Sequence, residues 1–305
     1  MSDERIEFIV AHASGSEDVP YILPMPFDTL AIVGVGLIGG SVGLAAKTRG
    51  VARRIVGIGR DERNLSRALA NGAIDQFTTN LSEGVAEADF VVACTPVDRL
   101  AEDVIAAAHA APMRCIITDA GSTKGNILAG IRGKMPVDGP EFIGSHPLAG
   151  SEKRGSANSK PEMFDGRLVV VTPTAESDPE AVAVVELFWN QLGARTMRMD
   201  AHEHDQALAM TSHLPHAAAS ALAGVTPPEW LTLTAGGFRD TTRIAGGDAE
   251  LWAAIFLANR DAVRDALDQY LDRLGTFRAM LTEETHAELV RWLSEGKKVR
   301  DALGS

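Results

Sequence analysis

The run of residues 34–39, Gly-Val-Gly-Leu-Ile-Gly, constrains the fold of this chain more than any other segment because of what flanks it. Residues 30–33 before it are apolar and β-prone, and residues 39–47 after it have a helical pattern. A glycine turn between a strand and a helix is the setting in which GxGxxG binds a dinucleotide. We therefore predict a nucleotide-binding turn here; the alternative is a glycine-rich turn without a ligand.

Each glycine of this turn has a separate task in such a site. Gly34 permits the tight turn, Gly36 lets the backbone approach a pyrophosphate, and Gly39 lets the helix pack close to the strand. The N–H groups that open the helix, at Leu37 and Ile38, face the phosphates together with the positive end of the helix dipole.

Composition and charge exclude several classes of partner. The chain has 305 residues, of which 29 are Lys or Arg and 41 are Asp or Glu, so its net charge is −12. Such a surface repels nucleic acid and anionic membranes, and neither is expected as a partner. No apolar stretch is long enough to cross a bilayer, the first residues lack the pattern of a signal peptide, and Cys94 and Cys115 lie in apolar runs. A cytoplasmic protein without disulfides or a metal site fits these features.

Strand and helix patterns alternate from about residue 28 to about residue 200, and helical patterns alone follow. Near-continuous apolar strands separated by helices predict a doubly wound, Rossmann-type parallel sheet that is covered on both faces. We therefore expect an α/β protein with an N-terminal extension (1–27), a dinucleotide-binding domain (28–200) and an all-α domain (201–305). A strand is expected over residues 142–144 and long helices over residues 204–223 and 249–280.

The last of these helices indicates an oligomer. Its apolar positions form a stripe too broad for one neighbouring helix, so we expect part of it to face a second subunit. A homodimer that associates through the helical domain follows. The stripe consists of Trp252, Ile255, Phe256, Val263, Leu267, Tyr270, Leu271 and Leu274.

Four further motifs carry polar residues suited to chemistry. Residues 119–124 read Asp-Ala-Gly-Ser-Thr-Lys, and residues 144–152 read Gly-Ser-His-Pro-Leu-Ala-Gly-Ser-Glu. Residues 212–216 read Ser-His-Leu-Pro-His, and residues 236–245 read Gly-Gly-Phe-Arg-Asp-Thr-Thr-Arg-Ile-Ala. The first two follow strands, at the sheet edge where open α/β proteins bind ligands.

In their order and spacing these motifs resemble the prephenate/arogenate dehydrogenase family of tyrosine biosynthesis, from about residue 29 to about residue 285. The resemblance implies an oxidative decarboxylation with NAD or NADP as hydride acceptor. The hydride leaves the ring carbon that bears the hydroxyl, CO2 leaves the opposite carbon, and the ring becomes aromatic. The substrate is then a small molecule: prephenate, arogenate or both.

The resemblance also assigns roles to the polar residues. A neutral His146 would accept the proton of the substrate hydroxyl, since an imidazole titrates near pH ~6.5. Ser122 would orient that histidine, Arg243 would bind the ring carboxylate bidentately, and His216 would contact the substrate. The weaker candidates for substrate binding, for which structural or surface roles stay open, are Glu152, His213, Arg239 and Trp252.

The end of the second strand bears on the choice of cofactor. NAD-preferring members place an Asp there to bond the ribose 2′-hydroxyl, but this chain has Gly59 followed by Arg60 and Asp61. Loss of the carboxylate and gain of a guanidinium favour NADP over NAD, although Asp61 could still reach the ribose. The expected cofactor-binding residues are Gly34, Gly36, Leu37, Ile38, Gly39, Arg60, Thr95 and Pro96.

Two other functions compete with this one. A β-hydroxyacid or 6-phosphogluconate-type dehydrogenase shares the domain order but places a catalytic lysine in the second domain, and residues 201–296 contain none. A non-catalytic nucleotide-sensing module would not need Ser122, His146, His216 and Arg243 together.

Overall fold

The computed structural model of this chain describes residues 26–150, 155–281 and 286–304. Its first part is an eight-stranded sheet flanked by helices, with the strand order β3-β2-β1-β4-β5-β6-β7-β8. All neighbouring strands are parallel except β6 and β7. The strands are β1 (Phe27–Val33), β2 (Ala52–Ile58), β3 (Gln76–Thr78), β4 (Phe90–Ala93), β5 (Ile116–Asp119), β6 (Glu141–Pro147), β7 (Leu168–Thr172) and β8 (Arg195–Arg198).

Helices cover both faces of this sheet, as the apolar strands predict. In β1, Leu30 and Ile32 belong to one buried cluster, whereas Ala31 and Val33 belong to another on the opposite face. This alternation follows from the two-residue period of a strand. The α/β, Rossmann-type fold is thus confirmed. The flanking helices are α1 (Leu37–Thr48), α2 (Glu62–Ala70), α3 (Leu81–Val85), α4 (Leu100–Ala110), α5 (Gly125–Ile131) and α6 (Pro179–Gln191).

Helices alone follow β8, and two of them are shorter than the sequence predicts. The helix expected over residues 204–223 has a π-helical segment, Ala209–His213, just before Pro215, which has no N–H to continue an α-helical ladder. The helix expected over residues 249–280 breaks at Asn259, whose backbone leaves the helical region. The elements are α7 (Ala201–Leu208), α8 (Leu214–Gly224), α9 (Gly236–Thr242), α10 (Ala249–Ala258), α11 (Arg260–Met280) and α12 (His286–Ala302).

The helical part buries little of its apolar surface. α11 has one buried residue, Ala266, and α12 has none among its described residues. Leu271 in the predicted stripe is 53% exposed, and Leu267, Tyr270 and Leu274 are also exposed. Among the described residues, no helix is long and apolar enough to cross a membrane.

The structure bears on two predicted bounds, those of β6 and of the N-terminal extension. The strand predicted over residues 142–144 is longer, because β6 continues through His146 and Pro147. The N-terminal extension lies outside the described residues up to residue 25, and β1 already begins at Phe27.

Candidate active site

Two of the three glycines of the GxGxxG motif, which spans the turn after β1 and the start of α1, are required by close backbone contacts. Gly34 has a φ of +93°, and a Cβ placed there would lie 2.8 Å from the carbonyl carbon of Cys94. A Cβ at Gly39 would lie 2.2 Å from the oxygen of Gly34. At Gly36 an added Cβ would meet nothing within 4 Å. The turn therefore packs tightly against the sheet and is open on the side of Gly36.

The amino end of α1 has no acidic cap among the residues that the structure describes. Among the described residues no side chain caps it, and its first turn has no acidic residue. Ser159 lies nearby but donates its hydroxyl to the carbonyls of Gly36 and Leu37, which leaves the opening N–H groups available. Unpaired N–H groups at the positive end of a helix dipole bind phosphate, so the turn fits a dinucleotide pyrophosphate.

The segment after β2 presents an exposed cation, and the carboxylate next to it is engaged through one oxygen. Arg60 is exposed. Asp61, which could have reached a ribose, is the N-cap of α2 and accepts a hydrogen bond of 2.9 Å from Arg63 N. Gly59 has room for a side chain, since an added Cβ would lie 3.4 Å from Leu65.

The segment after β4, which contains Thr95 and Pro96, leads directly into α4. The Thr95 hydroxyl donates to Asp103 at 2.7 Å, and the Pro96 carbonyl accepts from the N–H groups of Arg99 and Leu100. The methyl group of Thr95 lies beside Gly34. This segment therefore borders the glycine turn.

A buried ion pair supports the end of β6. Lys124 donates to Asp119 and, at 2.7 Å, to the carbonyl of Ser145, while Asp119 accepts from Ser145 N at 3.0 Å. Burial lowers the pKa of Lys124, and the neighbouring Asp119 opposes that shift. This explains the Asp and Lys of the motif at residues 119–124: they fasten the loop after β5 to the strand that carries His146.

His146 points from β6 towards the helical part of the chain. Its ring nitrogen Nδ1 lies 2.9 Å from Nε2 of His204 in α7, and only 8% of the residue is exposed. Burial, followed by the charges of His204, Lys124 and His213, holds the pKa of His146 well below 6.5. His146 is therefore neutral at physiological pH, as a general base must be.

The ring contact of His146 differs from the one expected from the sequence. Ser122, the predicted orienter, lies in the loop after β5 and makes no hydrogen bond to His146 among the described residues. His204 of α7 makes the ring contact instead. The residues around Ser122 contain no signal from which the position of α7 could have been predicted.

His204 is held in turn by the residue that follows it. Its Nδ1 lies 2.8 Å from Oδ1 of Asp205, and His204 is fully buried. The Asp205 carboxylate also accepts from the N–H groups of Lys124 and Gly125, both at 2.8 Å. Burial would raise the pKa of Asp205, but the hydrogen bonds from His204, Lys124 and Gly125 outweigh it and lower that pKa.

A second arm of this network reaches His213. Asn259 Nδ2 lies 2.8 Å from the carbonyl of Asp205 and 3.2 Å from Nδ1 of His213. Burial lowers the pKa of His213 to about 4. The contacts explain why the helix breaks at Asn259, whose side chain serves two partners that a straight helix would not reach.

His216 and Trp252 form the apolar wall beyond His213. Their rings stack with centroids 3.7 Å apart, and the His213 ring meets Trp252 edge-on at 6.2 Å. Burial lowers the pKa of His216, whose Nδ1 has no partner among the described residues. Both residues line a cavity of about 290 Å³ with Ser220 and Phe256.

The remaining candidate residues are not connected to this network by contacts among the described residues. Arg243 opens a 3₁₀ turn, Arg243–Gly246, next to α8, and is exposed. Arg239 is exposed on α9, and Glu152 lies outside the described residues. The predicted members that contacts connect are His146, His213, His216 and Trp252.

Three residues of this hydrogen-bond network were not predicted from the sequence: His204, Asp205 and Asn259. His204 and Asp205 lie in the helix that Asp200 caps, so the sequence there indicated only the start of a helix. A neighbouring His-Asp pair at the first helix after a nucleotide-binding domain was the available signal. Asn259 gave none, because it lies within an otherwise continuous helical pattern.

Comparison with known proteins gives a consistent result over most of the chain. Residues 42–198 match the family model for the prephenate dehydrogenase nucleotide-binding domain, and residues 200–295 match that for the prephenate dehydrogenase dimerization domain. Prephenate dehydrogenase of Bacillus subtilis (strain 168) is 33% identical over 283 residues, which are 90% of this chain and 76% of that protein. Cyclohexadienyl dehydrogenase of Zymomonas mobilis is 33% identical over 286 residues, which are 91% of this chain and 96% of that protein.

A solved structure agrees with this result. Prephenate dehydrogenase from Aquifex aeolicus, in complex with hydroxyphenyl propionate and NAD+, superposes with a TM-score of 0.83 at 31% identity. The match covers 90% of this chain and 98% of that one.

Proposed function

The chain belongs to the prephenate dehydrogenase family, and from that premise we propose how its residues carry out the reaction. It catalyses the oxidative decarboxylation of prephenate, arogenate or both, with hydride transfer to a nicotinamide cofactor. The observation that carries the assignment of roles is the neutral, buried His146 at the junction of the two parts of the chain.

His146 acts as the general base. As the hydride leaves the carbon that bears the hydroxyl, that hydroxyl becomes acidic and needs an acceptor. Nδ1 of His146 is occupied by His204, so Nε2 is the nitrogen that takes the proton. Aromatisation and loss of CO2 drive the reaction, and the remaining task of the protein is to position two reactants.

Substrate binding involves the wall built by His216 and Trp252. The unpartnered Nδ1 of a neutral His216 offers a polar contact beside an apolar ring surface, which suits a cyclohexadienyl ring with polar substituents. Arg243 binds the ring carboxylate, because it carries an exposed guanidinium on the 3₁₀ turn that packs against α8. Ser122, Glu152 and Arg239 are proposed as further contributors to the site on the family resemblance of their motifs.

The residues of the glycine turn would hold the nicotinamide cofactor, which would supply the hydride acceptor. Gly34, Gly36 and Gly39 shape the turn, Leu37 and Ile38 offer N–H groups to the pyrophosphate, and Thr95 and Pro96 border the site. We propose that NADP is preferred over NAD, because the exposed guanidinium of Arg60 suits a 2′-phosphate and one carboxylate oxygen of Asp61 accepts the N-cap hydrogen bond of α2.

A homodimer completes the helical part. α12 buries no described side chain and α11 buries one, so neither helix has a sufficient apolar partner within the chain. A second copy supplies that partner, in keeping with the description of the second matched family model.

One assay tests the assignment of activity and cofactor. The purified protein is incubated with prephenate or arogenate and with NAD or NADP, and absorbance of the reduced nicotinamide is followed. We expect turnover with at least one substrate and a higher kcat/KM with NADP. Absence of turnover in all four mixtures would contradict the proposed function, and a tenfold or greater preference for NAD would contradict only the cofactor proposal.

A further inference from the structure

The contacts of the Asp205 carboxylate determine which atom is the donor in its hydrogen bond with His204. Its carboxylate accepts from two backbone N–H groups, those of Lys124 and Gly125, which can only donate. These bonds stabilise the charged form, so Asp205 has no proton to give to its third partner, His204. The Nδ1 of His204, 2.8 Å away, must therefore carry the proton of that bond.

This direction is passed on to His146. An uncharged imidazole with a proton on Nδ1 has a bare Nε2. Nε2 of His204 lies 2.9 Å from Nδ1 of His146, so the uncharged form of His204 accepts a hydrogen bond from His146. In that arrangement His146 carries its proton on Nδ1 and a free electron pair on Nε2, the form that can accept a proton from the substrate.

We propose that His204 is a positioning residue that sets the tautomer of His146 and receives a proton from it during turnover. This inference rests on the proposed function and deepens it. The O–H bond of the substrate hydroxyl breaks as an N–H bond forms at Nε2 of His146. In the same step the Nδ1 proton of His146 passes to Nε2 of His204. The product state holds a neutral His146 and a cationic His204 beside the Asp205 carboxylate.

The surrounding charges favour this final location of the proton. Lys124 and His213 both oppose a positive charge on His146, whereas the neighbour of His204 is an anion. Asp119, the remaining acidic group of this cluster, is engaged by Lys124. A cation on His204 is thus paired with the Asp205 carboxylate, whereas no carboxylate among the described residues contacts the His146 ring; His213 opposes a positive charge on either ring.

The enzyme resets along the same path. His204 is fully buried and has no exchange with water of its own. After the product leaves, Nε2 of His204 returns its proton to Nδ1 of His146. His146, of which 8% is exposed, then releases the Nε2 proton to water once the product has left the site.

The tautomer is tested on the free protein, without substrate or turnover. Nitrogen-15 labelling of the histidines and NMR correlation of ring nitrogens with ring protons distinguish the two neutral forms. We expect the resonances assigned to His146, through their loss in His146→Asn, to show a protonated Nδ1 and a bare Nε2. The opposite tautomer would overturn the proposal.

Proton transfer is tested with His204→Gln, and His202→Gln is the matched control. The glutamine oxygen can still accept from Nδ1 of His146 but takes up no proton, and His202 is exposed on the same helix turn. We expect the single-turnover rate of His204→Gln to fall on the order of 10²-fold, with substrate KM and cofactor affinity unchanged. The control should match the wild type.

Single-turnover rates in mixtures of H2O and D2O separate a relay from a purely structural role. With two protons in motion, the wild-type rate should depend on the deuterium fraction along a curve, whereas His204→Gln should give a straight line. A linear dependence in the wild type, or a His204→Gln rate equal to that of the wild type, would overturn the relay. Because both results require an active wild-type enzyme, they are distinct from a failure of the proposed function.

Discussion

The sheet region and the helical region of this chain bury their apolar side chains to very different extents. The sheet has closed clusters on both faces, with Phe90, Phe188 and Trp189 almost fully buried. The helical region has one small cluster around Ala209, Leu214 and Ala266, and most of the large exposed hydrophobic residues of the chain lie in it. The first region supplies its own core, and the second needs another surface to complete one.

The two regions meet where the candidate chemistry lies. His146 comes from the sheet, and His204 and Asp205 come from the first helix of the other region. Asp205 also caps α5 of the sheet region. The comparison therefore predicts that changes at the junction alter turnover, while changes on the exposed helices alter assembly.

The largest effect is expected at the junction itself. His146→Asn removes the proton acceptor and should lower kcat by about 10²–10⁴-fold, the range for loss of a general base. Cofactor binding, measured by fluorescence titration, should be unchanged because the glycine turn is untouched. Turnover equal to that of the wild type would remove His146 from the mechanism.

Matched leucines on the two regions test the difference in burial. Leu271 in α11 is 53% exposed and Leu69 in α2 is 40% exposed. Leu271→Glu should weaken the dimer by on the order of 3 kcal/mol or more, because two leucines per dimer lose about 1.5–3 kcal/mol each. Leu69→Glu should leave it intact.

Light scattering across a dilution series measures this effect. A wild type or Leu69→Glu variant with the mass of a dimer and a Leu271→Glu variant that dissociates to a monomer would support the difference between the regions. Equal masses for the two variants would argue against α11 as the interface.

Acid should weaken the junction through its neutral histidines. The pKa of His213 is about 4 in the folded chain and near ~6.5 when unfolded, so the unfolded chain binds the extra proton between these values. Stability is therefore complete above pH ~6.5 and falls as the pH drops towards 4, by about 2–3 kcal/mol at pH ~4.5 for this residue. Urea unfolding at both pH values measures the loss, and His213→Asn should show a smaller dependence on pH than the wild type.

A smaller effect is expected at the proposed carboxylate site. Arg243→Gln removes a charged hydrogen-bond donor worth about 1.5–3 kcal/mol and should raise the substrate KM about 10–150-fold. Arg114→Gln, which changes an exposed arginine at the amino end of β5 and therefore at the opposite edge of the sheet, is the matched control. An unchanged KM in Arg243→Gln would mean that the ring carboxylate is bound elsewhere.

The smallest effect concerns the sheet region alone. Gly59→Asp places a carboxylate at the end of β2, where an added Cβ is accommodated 3.4 Å from Leu65. It should bond a ribose 2′-hydroxyl and repel a 2′-phosphate, shifting the NADP/NAD ratio of kcat/KM towards NAD by about tenfold. An unchanged ratio would show that the cofactor ribose does not contact this position.

The sheet region was the more predictable of the two, because its signals are local. A glycine turn between a strand and a helix requires only neighbouring residues, and the apolar runs of β1, β4 and β5 reflect burial on two faces. In the helical region, the predicted helices were too long: they are interrupted at Asn259 and at the π-helical segment before Pro215. The interruption at Asn259 accompanies a contact with Asp205, and the one before Pro215 accompanies a missing backbone N–H. A contact with a distant residue leaves no trace in helical periodicity.

The order of residues by itself determined the fold class and the place of the glycine turn, since short-range sterics and hydrophobic periodicity govern both. The choice of His146 came from the resemblance of its motif to a known family. The partner of His146 was decided only by the tertiary structure. His204 lies 58 positions along the chain from His146, and its contact depends on how α7 packs across the end of β6. Hydrogen bonds between distant segments leave no periodic pattern in either one, so the anchored Asp205, the ring of His204 and the tautomer that they impose become visible only when the chain is folded.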